Sequence, residues 1–302
     1  MAENGKLTLL EPDVLARLMA QPLMSRFPME GTISGQHKSP HRGSSVEFSE
    51  YRNYVPGDDL RRLDWRVFGR TDRFYMKEYE AETNLRCYLV LDCSGSMAFS
   101  GQHGNKLDYA RKLLATLGYL VIHQGDAAGL VCAGEAGTID IPPRRTPTHL
   151  QLITDTLQSR EAKGSTNLVS ALHDVAEKIR PRGLIIVVSD LFHDPDEILG
   201  AFQHVRFKKH DLAVFQLMDP MELKFEFDRP VRFVDLESSG SIITEPAMIR
   251  EQYLAEVNRF LELIKRGCHE FKADYTLVQT NQSYEKVLAD FLVERARLAA
   301  TA

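Results

Sequence analysis

The chain has 302 residues, of which 43% are hydrophobic, 26% are charged and 9% are aromatic. This composition is typical of a globular protein and excludes a disordered, collagen-like or disulfide-scaffold chain. The 37 Lys and Arg residues against 42 Asp and Glu residues leave a net charge of −5, which argues against a binder of nucleic acid or anionic membranes.

The cysteines and the apolar runs bear on the compartment in which the protein works. The four cysteines contain no C-x-x-C pair, as expected for buried thiols in a reducing environment. The amino terminus lacks the apolar run of a signal peptide. The densest apolar stretch, residues 184–189, is far shorter than the roughly 20 residues that a membrane-spanning helix needs. We therefore expect a cytoplasmic protein without membrane insertion.

Residues 1–86 differ in pattern from the rest of the chain. Gly, Ser and His are frequent between residues 31 and 45, and charged and aromatic residues are dense from residue 47 to residue 82. No helical or strand period emerges, so the sequence predicts no fold for this part. We expect it to be an amino-terminal extension that packs on the domain formed by residues 87–302.

From residue 87 onward, short apolar runs alternate with helical periods. Strands are predicted at 87–92, 127–133, 183–191, 211–219 and 273–280, with an edge-like strand stopped by Pro142 and Pro143 and a hairpin-like pair around Pro230. Helices are predicted at 106–124, 148–158, 168–179, from Pro246 and at the carboxyl terminus. This alternation predicts an α/β fold with a doubly wound, mostly parallel sheet. The run at 183–191 is the most apolar and suits its centre.

Five oxygen-bearing side chains fall at predicted strand ends or in loops. Asp92, Ser94 and Ser96 follow the first strand at alternate positions, Asp190 ends the apolar strand, and Thr166 lies in a loop before a helix. Ligands of open parallel sheets bind outside the carboxyl ends of the strands. Hard oxygen donors of this kind are preferred by Mg²⁺ or Mn²⁺, so we predict a metal site.

The proposed donor set suggests docking more than catalysis. Two aspartates balance the charge of a divalent cation, and neutral hydroxyls complete its sphere without adding charge. Such a cation remains electrophilic and can accept a carboxylate from another protein.

This donor set resembles the metal-ion-dependent adhesion site of the von Willebrand factor A domain. The resemblance lies in Asp92, Ser94, Ser96, Thr166 and Asp190. It implies that the two serines and the threonine contact the metal, that the aspartates bind it directly or through water, and that an acidic residue of a client protein completes the sphere. The integrin-type site usually has Gly after the last aspartate, where this chain has Leu191.

A longer signature lies upstream of the first strand. It reads Arg52-x-Tyr54-x-x-Gly57-Asp58-Asp59-x-Arg61-x-x-Asp64-Trp65. This run resembles the bacterial domain-of-unknown-function family 58, whose members carry a von Willebrand A-type domain. The resemblance implies a partner, a MoxR-type AAA+ ATPase, and a role as its adaptor or co-chaperone in protein maturation or remodelling.

Enzyme signatures are missing from the sequence. No H-E-x-x-H pair, no G-x-x-x-x-G-K-[ST] loop and no G-x-S-x-G elbow occurs, so we predict a non-enzymatic protein. The alternative is a metal-dependent phosphoester hydrolase, which needs a general base, and Asp190 or His193 is the nearby candidate. A third possibility is a structural scaffold with a vestigial site.

Overall fold

The computed structural model of the protein divides into two units. The described residues are 9–26, 37–38, 47–53, 65–71, 74–80, 82–83, 85–180, 182–227, 231–234, 236 and 240–301. One unit comprises residues 27–85, and the other comprises residues 1–26 together with 86–302. Residues 9–26 are thus grouped with the sheet and not with the rest of the predicted extension of residues 1–86.

The smaller unit contains two antiparallel strand pairs and a short helix. Glu47–Asn53 pairs with Tyr75–Glu80, and His37–Lys38 pairs with Glu82–Thr83. The helix spans Trp65–Thr71. Of the family signature, Arg52 lies in the first long strand and Trp65 begins the helix, while residues 54–64 lie outside the described part of the chain.

The larger unit is built on a six-stranded sheet. We number its strands β1 (Arg86–Asp92), β2 (Ala127–Gly134), β3 (Gly137–Arg144), β4 (Leu184–Ser189), β5 (Asp211–Met218) and β6 (Asp274–Gln279). Their order across the sheet is β6-β5-β4-β1-β2-β3. Neighbouring strands are parallel except for β3, which is antiparallel to β2. The predicted doubly wound, mostly parallel sheet is confirmed.

The apolar strand β4 occupies the middle of the sheet, as its composition predicts. Every side chain of β4 and of its neighbour β5 is buried. A strand can be apolar throughout only where both faces of the sheet are covered, because alternate side chains point to opposite faces.

Helices cover both faces of the sheet. They are α1 (Pro12–Leu18), α2 (Lys106–His123), α3 (Pro147–Ser159), α4 (Leu168–Lys178), α5 (Pro195–Phe207), α6 (Pro220–Lys224), α7 (Pro246–Glu270) and α8 (Tyr284–Thr301). One layer contains α1, α2, α3 and α8, and the other contains α4, α5 and α7. Five of these helices begin at a proline, whose fixed φ and missing N–H suit the first helical turn.

Two predictions about prolines need correction. Strand β3 continues through Pro142 and Pro143 to Arg144, because β3 is an edge strand and its pairing with β2 shifts register between Ala128 and Leu130. Proline is tolerated at such edges and bulges. The paired strands Val231–Val234 and Ser241–Thr244 both follow Pro230 instead of flanking it, and Pro230 itself lies outside the described residues.

A helix that spans a membrane needs roughly 20 predominantly apolar residues. Among the described residues, no helix is both long enough and apolar enough to cross a bilayer.

A buried ion cluster joins residues 24–26 and helix α8 to the amino ends of β5 and β6. Arg295 of α8 is 1% exposed. Its guanidinium donates to Asp211, to Asp274 at 2.5 Å and to the carbonyl of Met24 at 2.8 Å. The backbone N–H of Arg26 also donates to Asp211, at 3.0 Å. Residues 24–26 are therefore held against the sheet by the same charges that position α8.

Replacing Arg295 by Met should remove the guanidinium that Asp211 and Asp274 share. Removing one partner of a buried ion pair costs about 3–5 kcal/mol, because the remaining charge stays desolvated. We expect Arg295→Met to lower the free energy of unfolding by that amount in urea denaturation.

The matched control is Arg297→Met on the same helix. Arg297 is 76% exposed and its ion pair with Glu294 has a distance of 3.8 Å. Exposed pairs contribute little, so the expected change is within about 0.5 kcal/mol. Equal effects of the two variants would contradict the structural role of Arg295.

Candidate metal centre

The candidate site lies where the sheet changes its direction of winding. Strands β1 and β4 are parallel neighbours, and the helices that follow them, α2 and α5, belong to opposite layers. In open α/β sheets this arrangement leaves a crevice at the carboxyl ends of the two central strands. Asp92 is the last residue of β1, and Asp190 directly follows β4.

The two predicted serines lie side by side in the loop after β1. Ser94 precedes a short 3₁₀ helix that spans Gly95–Ala98 and includes Ser96. The two Oγ atoms are 2.9 Å apart. The Asp92 Oδ1 accepts the backbone N–H of Ser94 at 2.9 Å, so the carboxylate sets the path of the loop that carries both hydroxyls.

Asp92 is a fully buried carboxylate with a partner on each oxygen. Besides the Ser94 N–H on Oδ1, its Oδ2 accepts the hydroxyl of Ser189 at 2.5 Å. Burial is the main cause that raises the pKa of Asp92, and the negative charge of Asp190 adds to it. The two hydrogen bonds act in the opposite direction without cancelling the rise. A raised carboxyl pKa marks a place where positive charge is stabilising.

Asp190 is paired with a lysine that the sequence analysis did not identify. Lys106 is fully buried, and its Nζ donates to Asp190 Oδ2 at 2.7 Å and to Glu222 Oε1 at 2.8 Å. The sequence predicts Lys106 only as the first residue of α2. The sequence holds one indication of a special role for Lys106. It lies in the first turn of α2, where a positive charge is unfavourable next to the helix dipole.

Thr166 lies in a loop that is attached to the serine loop. The N–H of Gly95 donates to the carbonyl of Gly164 at 2.8 Å, and the N–H of Lys163 donates to that of Cys93 at 3.1 Å. The half-buried Thr166 hydroxyl donates to the carbonyl of Ala133 over 3.5 Å. The fold thus places the Thr166 loop against the serine loop.

The spacing of the two serine hydroxyls is compatible with a small divalent cation. Their Oγ atoms, 2.9 Å apart, form a hydrogen bond in this structure, and two ligands at right angles on an ion with bonds of about 2.0–2.1 Å are separated by about the same distance. All five predicted donors are hard oxygens, as Mg²⁺ and Mn²⁺ prefer. Among the described residues, no group of three or more His, Cys, Asp or Glu side chains could hold a metal ion. A centre of this composition therefore depends on hydroxyl donors and two aspartates.

The residue after Asp190 adopts the backbone conformation that favours glycine. Leu191 has φ 59° and a fully buried side chain. Its N–H donates to the Ser189 Oγ at 2.8 Å, and that hydroxyl in turn donates to Asp92. The left-handed turn therefore orients the donor that holds Asp92, and burial of the leucine side chain offsets about 1–2 kcal/mol of backbone strain.

The strain at Leu191 can be measured by truncating its side chain in two ways. Leu191→Ala and Leu191→Gly both lose the buried side chain, but only glycine relieves the left-handed backbone. We expect the glycine variant to be the more stable of the two by about 1 kcal/mol in urea denaturation. At the buried, helical Leu172 the order should reverse, with glycine less stable than alanine by about 1 kcal/mol. The same order at both positions would contradict the strained turn.

Comparisons with known proteins place the chain among uncharacterized relatives. Rv1480 of Mycobacterium tuberculosis is 28% identical over 231 residues, which are 76% of this chain and 72% of that protein. YeaD of Bacillus subtilis is 29% identical over 129 residues, which are 40% of this chain and 30% of that protein. Both carry the description "uncharacterized protein".

Solved structures and a family model complete the comparison. BatB of Bacteroides thetaiotaomicron matches with a TM-score of 0.48 and 16% identity over 71% of this chain and 100% of that one. The VWA domain of SpRpn10 matches with a TM-score of 0.41 and 11% identity over 72% and 97%. The model of the family "Protein of unknown function DUF58" matches residues 50–260. Since this match covers more than half of the chain and confirms the resemblance of its upstream signature, the protein belongs to the DUF58 family.

Proposed function

We propose that this protein is a non-enzymatic, metal-dependent protein-interaction module. In this proposal, Ser94, Ser96 and Thr166 ligate Mg²⁺ or Mn²⁺, and Asp92 and Asp190 support the cation directly or through water. The bound cation would supply a Lewis-acidic position for a carboxylate of a client protein. The observation that carries the proposal is the 2.9 Å separation of the two serine hydroxyls at the crevice.

The surroundings of the serines favour docking of a charged group at the surface. Asp92, Ser94 and Asp190 are at most 1% exposed, whereas Ser96 and Thr166 are partly exposed. Buried carboxylates behind exposed hydroxyls would hold a cation at the protein surface, where a partner reaches it. The hydrogen bonds from Ser94 and Ser189 keep the Asp92 carboxylate in place before the partner arrives.

We further propose that the partner is a MoxR-type AAA+ ATPase and that this chain is its adaptor or co-chaperone. The support is the family signature between Arg52 and Trp65, together with membership of the DUF58 family. That signature lies in the unit of residues 27–85, separate from the unit that carries the candidate metal centre.

Among the described residues, neither predicted general base of the alternative phosphoester hydrolase is positioned to act as one. Asp190 is held by Lys106 at 2.7 Å. His193 acts electrostatically on Asp92, and no described contact orients it as a base. The observations therefore favour docking.

The first test of the metal centre is calorimetric titration with MgCl₂ and MnCl₂. The wild-type protein should bind one cation, and its melting temperature should rise with cation concentration, because a ligand that binds only the folded state stabilises it. Ser94→Ala/Ser96→Ala should abolish both effects while the far-UV circular dichroism stays unchanged. Ser170→Ala, at an exposed position of α4, should behave like the wild type. Undiminished binding by the double serine variant would refute the assignment.

The second test addresses the partner. The tagged protein should retain an AAA+ ATPase or an acidic client from bacterial lysate in Mg²⁺, and lose the metal-dependent partner in EDTA or with the double serine variant. A partner retained equally in EDTA would place that interface away from the metal centre. Release of phosphate from a panel of phosphoesters, lost in Asp92→Ala, would support the hydrolase instead.

A further inference from the structure

Lys106 is the buried cation of the candidate metal centre. Its side chain is fully buried. The Nζ lies 5.1 Å from the centroid of the Phe192 ring and 5.7 Å from that of the Phe99 ring. Enclosed by these rings, the ammonium is stabilised by the carboxylates of Asp190 and Glu222. The two carboxylates keep its pKa raised although burial acts to lower it.

The pairing with Lys106 limits the ability of Asp190 to ligate a metal ion. The Oδ2 of Asp190 accepts from Lys106, and its Oδ1 accepts the backbone N–H of Phe192 at 3.3 Å. Each oxygen of Asp190 therefore already accepts one hydrogen bond, so a cation that recruits Asp190 must share an oxygen with Lys106 or with the N–H of Phe192, or displace one of them. An ammonium bound to the same carboxylate also repels the incoming cation, and this repulsion is strong where water is excluded.

Glu222 is a second carboxylate with which Lys106 can pair. Glu222 is at the start of α6, where its other oxygen accepts the backbone N–H of Asp219 at 2.7 Å. When Asp190 turns to a cation, Lys106 can stay paired with Glu222 at 2.8 Å. The ammonium is therefore never left buried without a counter-charge, which would cost several kcal/mol.

We propose that Lys106 competes with the divalent cation for the Asp190 carboxylate and thereby sets the cation affinity of the metal centre. This inference rests on the proposed metal-dependent docking function. With Asp190 engaged by Lys106, the cation is held mainly by neutral hydroxyls, so the isolated protein binds it weakly. A client carboxylate then supplies the negative charge that Asp190 does not supply while it is paired with Lys106.

The test is calorimetric titration with MgCl₂ and MnCl₂ alone, using variants of the lysine and its second partner. Lys106→Met frees Asp190 and should raise the cation affinity by about tenfold or more. Glu222→Gln removes the second carboxylate with which Lys106 can pair. The ammonium then stays on Asp190, and the cation affinity should fall several-fold. Lys106→Met/Glu222→Gln has the same net charge as the wild-type site. A higher cation affinity in this double variant would therefore come from the release of Asp190 and not from a change in net charge.

The control is Lys112→Met on the same helix. Lys112 pairs with Glu11 at 2.8 Å and its side chain is 29% exposed, so its removal should leave the cation affinity unchanged. Circular dichroism checks the fold of each variant. If Lys106→Met does not fold, the near-isosteric Glu222→Gln still tests the inference through its opposite effect.

The outcomes separate this inference from the proposed function. Wild-type binding with unchanged or weaker affinity in folded Lys106→Met overturns the inference and leaves the docking function standing. Binding by Lys106→Met but not by the wild type supports the inference in its strongest form. Absence of binding in the wild type and in every folded variant overturns both.

Discussion

The parallel pairing of β1 with β4 is the constraint on which the structure of the larger unit depends. The chain winds outward from these two strands in opposite directions, so their following helices cover opposite faces. Ligands of open α/β sheets bind outside the carboxyl ends of two such strands. Asp92 and Asp190 meet there because each ends one of the paired strands. The close approach of two buried carboxylates then creates the demand for positive charge.

Buried charges are paired differently at the amino ends and at the carboxyl ends of the strands. At the amino ends of β5 and β6, Asp211 and Asp274 share the guanidinium of Arg295, whose planar fork bonds both. At the carboxyl edge, Lys106 pairs with Asp190 and Glu222, while Asp92 accepts a hydroxyl and a backbone amide. Arg26 adds a second guanidinium 3.1 Å from Asp274, so the first arrangement neutralises its carboxylates and stabilises the fold. The second leaves a surplus of negative charge, as a cation-binding centre requires.

Much of the architecture was predictable because it follows from local periodicity. The apolar run of β4 can be buried only in the middle of a sheet covered on both faces, and the structure has it there. Pro142 and Pro143 are predicted to stop an edge-like strand, whereas β3 continues through both of them to Arg144. Edge strands and bulges tolerate proline, and the register shift opposite these prolines arises from pairing with β2, which periodicity along the chain does not contain.

The sequence by itself determined the fold class, the family and the position of Asp92, Ser94, Ser96 and Asp190 at strand ends, because these depend on spacing along the chain. Only the tertiary structure decided which charges meet. Lys106 and Glu222 are 116 residues apart in sequence, and their meeting with Asp190 requires α2, α6 and β4 to be assembled. Ion pairs between such residues depend on distance in space, which spacing along the chain does not contain, so the role of Lys106 at the candidate metal centre follows only from the folded structure.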